Sequence, residues 1–235
     1  MPHDTVPALI ASALASDPGR PFVTYYDEAT GERIELSVAT TANWVSKTAN
    51  MLQDSLAADD STTVSLRLPA HWESVVWHLA CWSVGCTVVA ANADADLVVL
   101  GPEVLTDDVP DADEVVALSL RPLGARFAEA LPAGVVDYNA EVLGHGDVFS
   151  AYAPPTPASH ADLVDRGRSA ALEPGERVLV VGDVDVVEPL LGVLVAGGSL
   201  VLLRDSSGAE VPAGRADDVA ATERVSRPTR GPASR

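Results

Sequence analysis

Lysine is almost absent from this chain: 14 of its 15 basic residues are arginine, and Lys47 is the one exception. Chemistry that requires a lysine amine, to clamp a phosphate or to form a Schiff base, has only that residue available. Lys47 falls within "SVATTANWVSKTANMLQDSL", whose apolar spacing is that of an amphipathic helix, and an exposed helical position is expected for it. Cysteine is scarce as well. Cys81 and Cys86 are too few for a disulfide framework, which points to a reducing compartment. Joined with His71 and His78 they match no familiar zinc spacing, because a helix over 71–84 would align His78 with Cys81 and leave Cys86 beyond its end, so no metal is expected. No apolar run approaches the roughly 18 residues that span a bilayer, and no cationic flank precedes the apolar part of the N-terminus. The reading is a cytoplasmic chain without a signal peptide. Positive charge is short overall: 34 acidic residues give a net charge of -19, which repels nucleic acid and anionic membranes and removes both as expected partners.

What the chain does contain is apolar sequence in short periodic pieces. Hydrophobic residues make up 47% and charged residues 21%, values of a folded chain long enough for one domain or two packed halves. Between Thr87 and Leu120 stand eight carboxylates and no cation. They lack the alternating spacing and turn glycine of an EF-hand loop, so they read as solvated loops around buried strands.

After a helix over about Val6–Ala15, "PFVTYYDEATGERIELS" reads as a β-hairpin turning at Gly31, and Ser37 is placed to cap the helix that follows. "TVSLRLP", "HWESVVWHLACWSVG" and "CTVVAAN" then form strand, helix and strand, a βαβ unit with Gly85 as the helix stop. "ADLVVLG" and "DEVVALSL" add two strands. The expected organisation is a first α/β half over 1–120, an irregular Pro/Gly-rich junction over 121–158, a second α/β segment over 159–205, and a mostly disordered tail over 206–235, with a short element possible around "DDVAATERVS". In the second segment "SHADLVDRGRSAAL", "ERVLVVGD", "DVVEPLLGVLVAGG" and "SLVLLRD" read as helix, strand, helix and strand.

Four polar residues are candidates for ligand contact. Asp183 and Asp185 fall at the carboxyl end of a strand, where open α/β sheets bind ligands, although Asp185 with Glu188 also has capping-box spacing. Thr156 and Ser159 stand before a helix, with His160 next to them. Adjacent Ser and His rarely align for proton transfer, so Ser159 as the N-cap is the plainer account and no catalytic residue is assigned. Trp72, Trp77 and Trp82 could line an acyl pocket, but their helical spacing reads first as core.

With this order laid out, "DPGRPFVTYYDEATGERIELSVATTANWVSKTANML" and "TVSLRLPAHWESVVWHLACWSVGCTVVAAN" resemble the opening of the adenylate-forming enzymes, the superfamily of acyl-CoA synthetases and other AMP-dependent ligases. "LEPGERVLVVGDVDVVEPLLGVLVAGGSLVLL" is similar to that family's segment after its phosphate loop. The chain also looks like a short actinobacterial family distantly related to these synthetases. The resemblance implies an α/β fold of three layers: mostly parallel sheet with helices on both faces, and an N-terminal β-hairpin.

The departures from the family bear on function. Where the family carries a Ser/Thr/Gly-rich loop ending Pro-Lys-Gly around the ATP phosphates, this chain has "AYAPPTPAS", without glycine or lysine and with Pro154, Pro155 and Pro157. Proline removes an N–H donor and fixes φ, whereas a phosphate cradle needs free amides and positive φ. The aromatic-Gly-x-Thr-Glu motif is absent too; "AATERVS" keeps only Thr222 and Glu223, and neither the family's ribose-binding Asp nor its C-terminal domain with the catalytic lysine is found. The expectation is therefore a non-catalytic relative without a cofactor that binds a protein or small molecule. The alternative is an acyl-adenylate-forming component completed by a partner chain.

Overall fold

The computed structural model describes residues 4–230. The chain begins with α1 (Val6–Ser16), whose first turn is closed by the Thr5 hydroxyl accepting the Ala8 amide at 3.3 Å. The hairpin follows as β1 (Pro21–Asp27) and β2 (Glu32–Ser37), and Gly31 turns it at φ 73, a conformation that glycine reaches without a Cβ clash. The Ser37 hydroxyl accepts the Thr40 amide at 3.1 Å as α2 (Val38–Asn50) starts, and α2 runs into a π-helical turn at Met51–Ser55. Next come β3 (Thr63–Arg67), α3 (Trp72–Val84), β4 (Thr87–Val89), β5 (Leu97–Leu100), β6 (Glu114–Ala117), β7 (Val135–Asp137) and α4 (Tyr138–Glu141). The chain closes with α5 (Ala161–Ser169), β8 (Arg177–Val181), α6 (Val187–Ala196), β9 (Ser199–Arg204), α7 (Ala213–Thr222) and β10 (Arg227–Arg230).

These elements divide into two units. The first comprises the chain up to Thr41, Ala70–Trp72 and everything from Thr156; the second comprises Ala42–Pro69 and Glu73–Pro155. The first unit's sheet has the order β10-β8-β9-β1-β2, parallel except for the β1–β2 hairpin pair. One face carries Tyr26, Leu179, Val201 and Leu203 against Ala216 and Val219 of α7, while α6 packs on β8 and β9. Burial on both faces explains why β9 reads as an unbroken apolar run. α5 and α6 meet where neither has bulk: a Cβ on Gly167 would lie 2.7 Å from the Leu191 carbonyl oxygen, and one on Gly192 would lie 2.8 Å from Ala170 Cβ.

The second unit's sheet is wholly parallel, in the order β4-β3-β5-β6-β7. The chain leaves β3 toward β4, then returns to build outward on the other side of β3, so the order reverses between β3 and β5. Its edges, β4 and β7, are three residues each. Val98, Leu100, Val115 and Ala117 pack with Val104 and Phe127 on one face, and the Trp77 and Tyr138 rings lie 5.3 Å apart. The mixed α/β architecture, the parallel sheets, the helices on both faces and the hairpin agree with the fold class read from the sequence.

Two readings change. The stretch from Ser206, expected to be mostly unstructured, forms α7 and the edge strand β10 through Arg230, because α7 has an apolar face to bury and β10 finds β8 as a parallel partner; residues 231–235 lie outside those described. The 121–158 stretch contains β7 and α4, and as far as Pro155 it belongs to the second unit.

Candidate functional site

The carboxyl ends of β1, β8 and β9 gather polar groups at one end of the first unit's sheet. Asp27, the last residue of β1, is buried, and its carboxylate accepts the Ser206 hydroxyl at 2.7 Å, the Ser206 amide at 2.9 Å, the Thr30 hydroxyl at 3.0 Å and the Ala29 amide at 3.1 Å. Burial alone would raise its pKa; the Ser206, Thr30 and Ala29 donors outweigh it and hold the carboxyl below its ordinary value. Asp27 is thus an anionic tie between the exits of β1 and β9.

Asp183 follows the turn at Gly182, whose φ is 85 and whose amide donates to the Leu203 carbonyl at 2.8 Å. Its Oδ1 accepts the Ala70 amide at 2.9 Å, and its Oδ2 lies 3.8 Å from Arg204 Nη2. The Asp183 side chain is 59% exposed and that of Arg204 only 11%. Arg204 Nε has no hydrogen-bond partner among the described residues. Next to Ala70, His71 packs edge-on to Tyr25 with ring centroids 4.4 Å apart. Burial first, and the Arg204 charge second, push the His71 pKa down to about 3, so the imidazole is neutral at neutral pH. The same burial, with the Asp27 charge, raises Tyr25. An open carboxylate beside a nearly enclosed guanidinium can meet a ligand that carries both a cationic donor and an anionic or carbonyl acceptor.

The other candidates are placed differently. Asp185 Oδ1 accepts the Val187 amide at 2.8 Å, but the N-cap residue of α6 is Val186, and Glu188 turns to Arg166 at 2.6 Å. The reciprocal capping box does not form, because an arginine on α5 outcompetes the backbone for Glu188. Thr156 and Ser159 close on each other: the Thr156 amide donates to Ser159 Oγ at 3.0 Å, and the Ser159 amide to Thr156 Oγ1 at 3.2 Å. Ser159 is not the N-cap of α5. His160 holds that position without a side-chain cap bond, and its Nδ1 accepts the Val6 amide at 3.1 Å at the start of α1. The structure brings Asp183 to Arg204 and Thr156 to Ser159; none of the described contacts joins the two pairs.

Lys47 is not the exposed helical lysine expected. Its Nζ donates to the His145 carbonyl at 2.6 Å and pairs with Asp147 at 2.7 Å, with the side chain 20% exposed. Cys81 and Cys86 are buried free thiols, and burial pushes Cys86 up to about 12. His78 Nδ1 lies 2.7 Å from the Ser74 carbonyl, and Trp72, Trp77 and Trp82 are all buried core residues. Among the described residues no three His, Cys, Asp or Glu side chains converge on a point where a metal could sit, and no helix is long and apolar enough to cross a membrane.

One hub escaped the sequence reading. Glu223, just past α7, accepts from Arg177 at 2.6 Å, Arg33 at 2.9 Å and the Tyr26 hydroxyl at 2.5 Å. Burial opposes its charge, yet the Tyr26, Arg33 and Arg177 donors hold its pKa below the usual value. No local spacing signals it, since its partners are more than 40 residues away.

The comparisons with known proteins bear on the whole chain. No family model matches it. A protein of Mycobacterium tuberculosis (strain ATCC 25618 / H37Rv), described as a TIGR03089 family protein, is 38% identical over 212 residues, covering 83% of this chain and 87% of that one. The chain belongs to the TIGR03089 family. Among solved structures, the family's fold is shared with the acyl-CoA synthetase of Brucella canis, at a TM-score of 0.72, 17% identity and coverage of 95% of this chain and 47% of that one. It is shared equally with the acetoacetyl-CoA synthetase of Streptomyces lividans, at a TM-score of 0.72, 18% identity and coverage of 97% and 42%. The chain spans a little under half the length of these synthetases. An acyl-CoA synthetase-like fold is thereby shown, in agreement with the resemblance read from the sequence.

Proposed function

We propose that this chain is a non-catalytic, ligase-like relative that uses the synthetase-type α/β fold to bind a protein or small molecule in the cytoplasm of an actinobacterium, without a nucleotide cofactor. The observation that carries the reading is the state of residues 151–159. The Tyr152 amide donates to Gln53 Oε1 at 2.9 Å, the Thr156 and Ser159 amides to each other's hydroxyls, and Pro154, Pro155 and Pro157 have no N–H. A phosphate cradle works by aiming several free amides at one anion, and here three of the nine residues have no N–H while the Tyr152, Thr156 and Ser159 amides are already engaged. Lys47, the one lysine in the sequence, is engaged as well. The mycobacterial source of the relative supports the actinobacterial assignment.

ATP–pyrophosphate exchange by the purified chain, over a panel of short and long carboxylic acids, tests this reading. No exchange above the blank is expected, and exchange with any acid would overturn it.

A second reading, a component of an acyl-adenylate-forming enzyme completed by a partner chain, is favoured by Asp183 beside Arg204 at the strand ends. In it Asp183 and Asp185 face the ligand, and Thr156 and Ser159 hold its edge. Tryptophan fluorescence titrated with Mg-ATP, AMP and an acyl-adenylate analogue separates the two. Saturable binding that is lost in Asp183→Ala/Asp185→Ala would select the partner-assisted enzyme.

A further inference from the structure

The segment that follows α4 in the second unit is held by its backbone and presents its side chains outward. Asn50 Nδ2 donates to the carbonyls of Gly146 at 2.9 Å and Val148 at 3.0 Å, and Gln53 donates to the Ser150 carbonyl at 3.3 Å while accepting the Tyr152 amide at 2.9 Å. Lys47 fixes the preceding turn through the His145 carbonyl. These side chains come from the last turns of α2 and the π-helical turn, so a helix edge grips the main chain of a strap as a neighbouring strand would. Three apolar side chains on this strap stand in solvent, Val148 at 85% exposed, Tyr152 at 82% and Leu143 at 62%, while Phe149 is half-buried. Tyr152 is moreover fixed in place, its hydroxyl donating to Asp54 Oδ1 at 2.9 Å. A flexible loop would bring disordered apolar residues; this one offers an oriented tyrosine and valine, the kind of preformed anchor that binding surfaces use.

The surrounding charge selects the occupant. No Lys or Arg occurs between Arg126 and Arg166, and Lys47 is neutralised by Asp147. Asp54, Glu141 and Asp147 rim the strap. The second unit as a whole carries sixteen acidic against four basic residues. A second copy of this acidic chain and an anionic membrane would both be repelled there, whereas a cationic partner would be drawn in.

We propose that the 143–152 strap is the docking surface for a partner protein through a segment that combines apolar side chains with Arg or Lys. The strap belongs wholly to the second unit and uses none of the residues at the strand ends of the first, so the proposal holds under either reading of function.

The test is selection of a random peptide display library, of about 12 residues, on the full chain and on Val148→Asp/Tyr152→Ala. The consensus peptide is then measured by calorimetry. Both substituted residues are exposed, so the variant should melt with the parent. Enriched peptides are expected to carry apolar residues flanked by Arg or Lys. Their binding should fall as salt rises and weaken at least about tenfold in the variant. Acidic or uncharged consensus peptides, or peptides retained equally by the variant, would overturn the proposal. So would self-association in sedimentation, or binding to anionic phosphatidylserine vesicles, that the variant abolishes.

Discussion

The two units solve the same problem, a parallel sheet covered by helices, with different chemistry. The first unit carries eighteen acidic and eleven basic residues and ties its elements with charge: Glu223 to Arg33 and Arg177, Glu28 to Arg215 at 2.8 Å, Glu176 to Arg227 at 3.2 Å. The second unit has few cations to pair with, and its buried polar contacts include neutral ones: the Thr48 and Tyr138 hydroxyls at 2.8 Å, and the Asn139 side-chain oxygen accepting the Ser119 amide at 2.9 Å. The Asn139 amide reaches the buried Glu73 carboxylate at 2.6 Å. Pairs of opposite charge respond to salt and acid; hydroxyl pairs and packing respond to neither over the same range. The first unit should therefore be the condition-sensitive part of the molecule.

The sharpest way to break that contrast is to unfold one unit alone. Gly198 leaves no room for a Cβ against the Glu176 carbonyl, where the Ser199 amide enters the β8–β9 pairing. Gly198→Val is expected to cost about 3 kcal/mol. Hydrogen exchange read by mass spectrometry should show lost protection in peptides of β8 and β9 ahead of those of β3 and β5; equal loss in both would erase the distinction.

A smaller change should remove the acid sensitivity of the first unit. Glu223→Gln takes from the largely buried Arg177 its nearer counter-charge, leaving only Glu35 at 3.7 Å, and a loss of roughly 2 kcal/mol at neutral pH is expected. The sign follows from the shift. The folded pKa of Glu223 lies below its ordinary 4.5, so its stabilisation is present above that value and is lost as pH falls through the folded one. Urea midpoints measured across this range should decline less steeply in the variant, and the gap between the two proteins should narrow in high salt. Parallel curves would remove Glu223 as the cause.

The smallest effect belongs to the second unit. Thr48→Val deprives the buried Tyr138 hydroxyl of its partner, for a cost of about 1 kcal/mol that changes little with salt or with pH between 4 and 8, roughly the span in which neither hydroxyl titrates. A salt-dependent cost would show that this hydroxyl pair is not the neutral contact the contrast requires.

How much of this was legible depended on whether the deciding contact was local. The hairpin, the βαβ unit and the strands of both sheets other than β7 and β10 were readable, because Gly31, Gly85 and unbroken runs such as "LVVL" set them within a few residues. α7 was read only as a short element around "DDVAATERVS", and β10 not at all. "AGRADDVAAT" presents little beyond Ala216 and Val219 to the sheet, and "RPTR" forms an edge strand that, among the described residues, pairs with β8 alone. The same limit applies at the site. Asp183 was placed at a strand end from pattern, but Arg204 beside it, like the Arg177 and Arg33 that surround Glu223, becomes visible only when distant strands are paired. Ser159 and Glu188 have the spacing of helix caps, and each was diverted by a neighbour: Ser159 by Thr156, Glu188 by an arginine on the adjoining helix.

The three-residue edges of the second sheet have a colloidal consequence. Each exposes only about 10 Å of strand, too short a template for an incoming copy to gain many ladder bonds, and the excess of carboxylates charges any such copy with the same sign. The unit that displays an apolar strap is thereby guarded against recruiting its own kind by strand addition, and the strap remains open to a partner of opposite charge.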